Sequence, residues 1–329
     1  MLLWVIFIAL ICFLLALDLG VFNKNPHAVS TREAFGWTAL WVTLSLLFSI
    51  VVYFAYEKDW VTGDLSGSKA VLLYLTGYLV EQSLSMDNIF VIAVIFSYFQ
   101  VPKQYQHRVL FWGILGALFF RGVMIAVGAV LINRFEWIIY IFGAFLLYSA
   151  YKMLSAGEAV HPHNNSTIRF IRRFFAVTKN YHEDKFFVRR KGLLAATPLF
   201  VALMVVETTD ILFAFDSIPA IFGITTDPFI VFTSNIFAIM GLRSLYFVLA
   251  SVLDKFHYLK YSLVAILFFV GVKMLLHEVW HPEEWVSLAV IFLSLATGVA
   301  YSLYKAKNAP PAVTQETVVE EEKEKFSGE

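Results

Sequence analysis

The sequence is short of charge, of cysteine and of any basic lead-in, and each shortage excludes something. Charged residues make up 15% of the 329 positions, where a soluble domain carries about 25%. A soluble globular chain is therefore excluded. The formal net charge is zero, so nothing points to nucleic acid as a partner. The single cysteine, Cys12, rules out an intramolecular disulfide and argues against a thiolate metal site. It lies in an apolar run and is expected to be a small buried residue. No Lys or Arg precedes the apolar run Met1 to Leu17, and no small-x-small cleavage site follows it. That start is therefore expected to be a transmembrane helix rather than a signal peptide. No His-Glu-x-x-His helix or Ser/Lys pair is present to name a reaction, and the chain is not expected to be an enzyme.

What is present is length in apolar runs. Spanning a bilayer takes about 20 apolar residues, and nine windows qualify: 2–21, 35–56, 70–99, 107–132, 135–154, 193–222, 229–252, 260–278 and 284–304. The fold class expected is an all-α polytopic transmembrane bundle occupying 1–308, with breakers such as Asn25-Pro26, Pro102, Pro228 and Pro282 between spans. Lys and Arg sort strongly across the connections: sixteen fall in one alternate set, including Lys103, Arg108, Arg189, Arg190 and Lys260, and three in the other, Lys58, Lys69 and Arg134. By the positive-inside rule the N-terminus lies outside and the C-terminus in the cytoplasm of a cell whose inner membrane holds the chain. A long cytoplasmic loop, about 155–191, contains Ile168-Arg169-Phe170-Ile171-Arg172-Arg173-Phe174-Phe175. Two readings of it stand: a short amphipathic helix on the lipid surface, or a solvated basic loop that sets topology. Asn164 and Asn165 form glycosylation-type sequons, irrelevant in a cytoplasmic loop. Residues 309–329, rich in Glu (Glu320, Glu321, Glu322, Glu324), are expected to be a disordered acidic tail.

Two polar stretches interrupt the apolar runs. The first is Glu81-Gln82-Ser83-Leu84-Ser85-Met86-Asp87-Asn88, the second Glu207-Thr208-Thr209-Asp210-Ile211-Leu212-Phe213-Ala214-Phe215-Asp216-Ser217-Ile218-Pro219. An acid near mid-bilayer costs from about 2.5 kcal/mol upward, so such acids need a partner, a cavity or an ion. Asp18, nearer a helix end, is expected to snorkel.

The stretches belong to an internal repeat in which helices 3, 4 and 5 resemble helices 6, 7 and 8. Asp87 matches Asp210, Arg121 matches Arg243, and Lys152-Met153-Leu154 matches Lys273-Met274-Leu275, all at offsets of 121 to 123. A second register sets Glu81 and Asp87 against Asp210 and Asp216, two pairs with the same six-residue spacing. Displacement by three helices inverts the second copy, the plan of many secondary transporters whose sites lie between the copies at the midplane.

Five carboxylates, Glu81, Asp87, Glu207, Asp210 and Asp216, are joined by the neutral oxygens of Ser85, Asn88, Thr208, Thr209 and Ser217, with no His or Cys in either stretch. Oxygen-only donors suit magnesium, calcium or manganese. Met86 is either a soft ligand or packing. Glu81 and Asp87 are roughly 120° apart on a regular helix, and a break at Pro219 is expected to re-aim the acids inward. Arg121 and Arg243 are intramembrane cations: either they lock the helices together as an ion network, or they hold the acids and help release an ion. Two arginines cannot neutralise five acids, so the remainder calls for a cation or for protons.

The residues Glu81-x-x-Leu84-Ser85-x-Asp87-Asn88, Glu207-x-x-Asp210-x-x-Phe213-Ala214-x-Asp216-Ser217-Ile218-Pro219-Ala220 and Thr226-Asp227-Pro228-Phe229-Ile230-Val231-x-Thr233-Ser234-Asn235 resemble those of the TerC/Alx family of bacterial inner-membrane proteins. The resemblance implies export of manganese(II) from the cytoplasm, with transport acids at Glu81, Asp87, Glu207, Asp210 and Asp216. The family's tellurium-resistance label fits poorly, because an acid-lined site repels tellurite anions. Manganese(II) is then the transported ion, and no permanently bound cofactor is expected. A membrane-embedded metal-dependent enzyme and a stress-response scaffold working through the basic loop are the alternatives.

Overall fold

The computed structural model describes residues 2–17, 30–61, 65–155, 173, 176–178, 180–190, 193–250, 259–280 and 282–308. Nine helices lie among them: α1 (Leu2–Leu17), α2 (Thr31–Glu57), α3 (Gly67–Phe99), α4 (Lys103–Arg134), α5 (Ile138–Ser155), α6 (Pro198–Phe222), α7 (Pro228–Ala250), α8 (Leu259–Leu275) and α9 (Glu284–Asn308). They match the nine apolar windows. Seven are long and apolar enough to cross a membrane; α1 and α8, with 16 and 17 residues, fall just short of that length. The protein is an all-α polytopic membrane bundle.

Local chemistry sets the helix starts. Ser30, Ser66 and Thr197 accept the backbone N–H three residues on, at 3.3, 3.4 and 3.4 Å, so an oxygen satisfies a donor that the helix leaves orphaned. Asp227 does the same for α7, accepting from Phe229 and Ile230 at 2.9 and 3.1 Å. Gln100 ends α3 in the left-handed region, at φ 53°.

α7 is the axle of the bundle. Burial covers 94% of its spanning window, against 28% for α2 and 22% for α9, so the latter two face lipid. Around it, α3 packs on α7, α4 on α6 and α5 on α8. The α5–α8 seam turns on Gly143 and Gly271: a Cβ on either would lie 3.0 Å from the other's carbonyl oxygen. This reciprocity relates positions 128 apart, 143 to 271.

Several expectations are corrected. α6 runs unbroken through Asp216 and Pro219 to Phe222. Pro219 stands only three residues before the helix end, so its missing N–H costs one bond in the last turn instead of a break at the acids. Residues 193–196, expected in a span, form a strand. Together β1 (Ala176–Val177), β2 (Phe187–Arg190) and β3 (Leu193–Ala196) make a three-stranded sheet in the order β1-β3-β2. β1 is parallel to β3 and β2 antiparallel to it. This sheet, which follows the basic aromatic run and was not expected, docks on the bundle. The Tyr181 hydroxyl donates to the Phe99 carbonyl at 2.6 Å. Arg108 pairs with Asp184 and lies over the Phe186 ring at 5.1 Å. Aromatic side chains thus find burial against helix ends that a solvated loop would leave open. Cys12 is exposed rather than buried, because α1 is peripheral. Asp18, Asn164, Asn165, the run Ile168–Arg172 with Phe174 and Phe175, and the tail 309–329 lie outside the described residues.

Candidate functional site

Arg121, on α4, is 1% exposed and reaches both polar helices. Its Nη1 pairs with Glu81 of α3 and donates to Ser217 Oγ of α6 at 3.2 Å. Its Nε and Nη2 clasp the two oxygens of Asp210 on α6, at 3.3 and 3.0 Å. Turned so that both its ends are satisfied, the Asn88 amide accepts from Nη2 at 3.2 Å and donates to the Leu84 carbonyl at 3.3 Å. All five N–H groups of the guanidinium are then used. Glu81 is further met by Ser85 Oγ at 3.3 Å and by Asn235 Nδ2, from α7, at 3.0 Å.

These partners obey the second register of the repeat. Glu81 and Asp210 are 129 apart, and so are Asn88 and Ser217. Within each helix the acid and its companion are seven residues apart, two turns along one face. Arg121 therefore lies between matching faces of the two copies, binding an acid and a neutral oxygen from each. The buried side chains of Ile89 and Ile218, 0% and 3% exposed, follow the same offset, each in a separate apolar cluster.

The other acids go elsewhere, and the expected convergence of five carboxylates is not what the chain forms. Asp216 accepts from Ser149 of α5 at 2.6 Å. Asp87 is acted on by the charge of Lys260 at the start of α8. Glu207 presses against α4 at Gly116, where any Cβ would strike its carboxylate, and its Oε2 is buried with no hydrogen-bond partner. Among the described residues no three His, Cys, Asp or Glu side chains come together as a cage for an ion. The cause is geometric: continuous helices carry Asp87 and Asp216 about 120° away from the face that Arg121 holds.

Arg243 does not join Arg121. It is 4% exposed and lines a small cavity with Glu33, Trp37, His107 and Ser244. Met86 packs in an apolar cluster with Ile89 and Ile92, the packing alternative. Thr208 and Thr209 donate to their own helix, to Met204 and Val205 carbonyls at 2.7 Å each. Sequence reasoning gave no role to Ser149 or Asn235. Ser149 carried no signal, whereas Asn235 was visible as an amide inside an apolar helix.

Comparison with known proteins decides the family. Residues 66–309 match the integral membrane protein TerC family. The chain belongs to the TerC family. Its TerC-type region begins at the cap of α3 and takes in both copies of the repeat. A Myxococcus xanthus membrane protein designated STKORF319 is 48% identical over 94% of each chain. The Escherichia coli K12 protein named "Putative membrane-bound redox modulator Alx" is 46% identical over 88% of this chain and 91% of its own. A Rickettsia bellii membrane protein is 42% identical over 92% of this TerC chain and 97% of its own. No solved structure matches.

Proposed function

We propose that this TerC-family protein exports manganese(II) from the cytoplasm across the inner membrane by alternating access, with Glu81 and Asp210 exchanging Arg121 for the ion. One observation carries the reading: a single buried arginine bridges acids at matching positions of α3 and α6. Every group that it touches is an oxygen donor, as a hard dication requires. In the form described here the guanidinium stands in for the cation. Replacing it with a dication takes a movement of α4 relative to α3 and α6, and that movement would expose the acids to one side of the membrane. Asn88 and Ser217 serve as neutral ligands in this cycle. Asp87, Glu207 and Asp216 serve as stations off the central pair. The ion is cargo, and the residues alone do not rank manganese above magnesium or calcium.

The relatives' name carries a redox role for those proteins. One cysteine per chain leaves no dithiol within it, and we assign any redox effect here to altered manganese balance. The discriminating experiment is flux into reconstituted vesicles with a manganese-quenched dye. Wild type is expected to move manganese, whereas Glu81→Gln and Asp210→Asn are not. Metal-dependent turnover without ion movement would instead establish the enzyme reading. Flux that survives in both variants at normal protein level would overturn the central pair.

A further inference from the structure

We infer that Asn235 is a ligand-bearing residue of the ion site, presenting its Oδ1 to the cation beside Glu81; this rests on the export reading above. Asn235 is 0% exposed and comes from α7, which is neither of the two acid-bearing helices. Its amide orientation is fixed by chemistry. Nδ2 donates to Glu81 Oε2 at 3.0 Å, and the reversed amide would set a carbonyl oxygen against a carboxylate oxygen. Oδ1 is left out of that contact, and it is buried with no hydrogen-bond partner.

Buried acceptors without a donor are rare and call for a cause. The neighbouring hydroxyls do not share the condition: Thr233 donates to the Phe229 carbonyl at 2.7 Å and Ser234 to the Val231 carbonyl at 3.3 Å. Arg121 cannot supply the donor, since its five N–H groups are taken by Glu81, Ser217, Asp210 and Asn88. Carboxylates and amide carbonyl oxygens are both ligands of hard cations, and Asn235 and Glu81 bring one of each within a hydrogen bond of one another. The amide nitrogen also keeps Glu81 aimed when Arg121 withdraws, the orienting role that outer-shell groups play at metal sites. Asn235 thus adds a third helix to the shell and makes binding sensitive to how α7 sits against α3.

The test is titration of purified full-length protein in detergent with manganese(II) chloride, followed by the electron paramagnetic resonance of the free ion, alongside vesicle flux. Asn235→Ala is expected to weaken manganese binding at least about tenfold, the usual scale for loss of a ligand-shell group, and to lower the ion-free melting midpoint through the lost hydrogen bond to Glu81 while the variant stays folded at the temperature of the titration. If Asn235→Ala does not fold, Asn235→Ser is read in the same way. Binding within twofold of wild type in a folded variant would overturn the inference and leave export standing. Wild-type binding without flux would overturn export while the Asn235 comparison still decided its own case. Absence of binding by wild type would overturn both.

Discussion

At the residue scale, the Arg121 centre sets opposing demands on stability and function. A buried ion pair loses about 3–5 kcal/mol when one partner is removed, because the other charge is left uncompensated. Arg121→Ala is therefore expected to lower the melting midpoint sharply, since both Glu81 and Asp210 are orphaned. Added manganese should raise that midpoint more in the variant than in wild type, because a ligand that binds only the folded form stabilises it in proportion to its affinity. Thermal unfolding with and without manganese(II) chloride checks both signs; a variant no more responsive than wild type would mean that the ion does not take the arginine's place. Ser149→Ala removes one neutral hydrogen bond from Asp216 and is expected to cost about 1 kcal/mol, readable as a small drop in the same midpoint. Much of this centre was legible in the sequence. Acids and an arginine inside apolar runs are costly, so their grouping was forced. Which acid met which cation was not legible: Arg121 and Arg243 look alike in sequence, and only packing puts the second beside Glu33 and His107.

At the element scale, the glycines divide by what their missing Cβ would strike. At Gly116 it is the end of a flexible side chain, Glu207. Gly116→Ala is expected to displace that carboxylate and change flux while leaving the melting midpoint close to wild type. At Gly271 it is the backbone of Gly143 and the side chain of Leu147, so Gly271→Ala is expected to force α5 and α8 apart and cost about 1–3 kcal/mol. A stability assay and a flux assay on the two variants should thus rank them in opposite orders. The nine helices among the described residues were readable from run length alone. The sheet was not, because its strands are only two to four residues long, too short for an alternating pattern to stand out, and β3 runs straight into the apolar residues of α6. The uninterrupted α6 was missed for a related reason: a proline's effect depends on its distance from the helix end, which the sequence does not fix to within a turn.

For the whole molecule, the positive-inside count makes a prediction that labelling can check. In a Cys12→Ser background, a cysteine at Lys58 should react with an impermeant maleimide in intact cells, whereas one at Lys185 should react only after the cells are broken. A repeat between α3 and α6 was legible, but of its two registers the one with more sequence matches was not the one that the contacts at Arg121 follow. Helices preserve the face that meets a partner, and only contacts such as Glu81 with Asp210 through one guanidinium reveal which face that is. That guanidinium also bears on bioenergetics. On the export reading proposed above, it is covalently tethered and returns empty-handed, so each cycle would carry a double charge outward. Against an inside-negative potential, moving two elementary charges costs about 4.6 kcal/mol per 100 mV. Manganese flux in wild-type vesicles is therefore expected to change rate with an imposed potassium diffusion potential; a rate indifferent to that potential would overturn the uncompensated cycle and point to an equal positive current in the other direction.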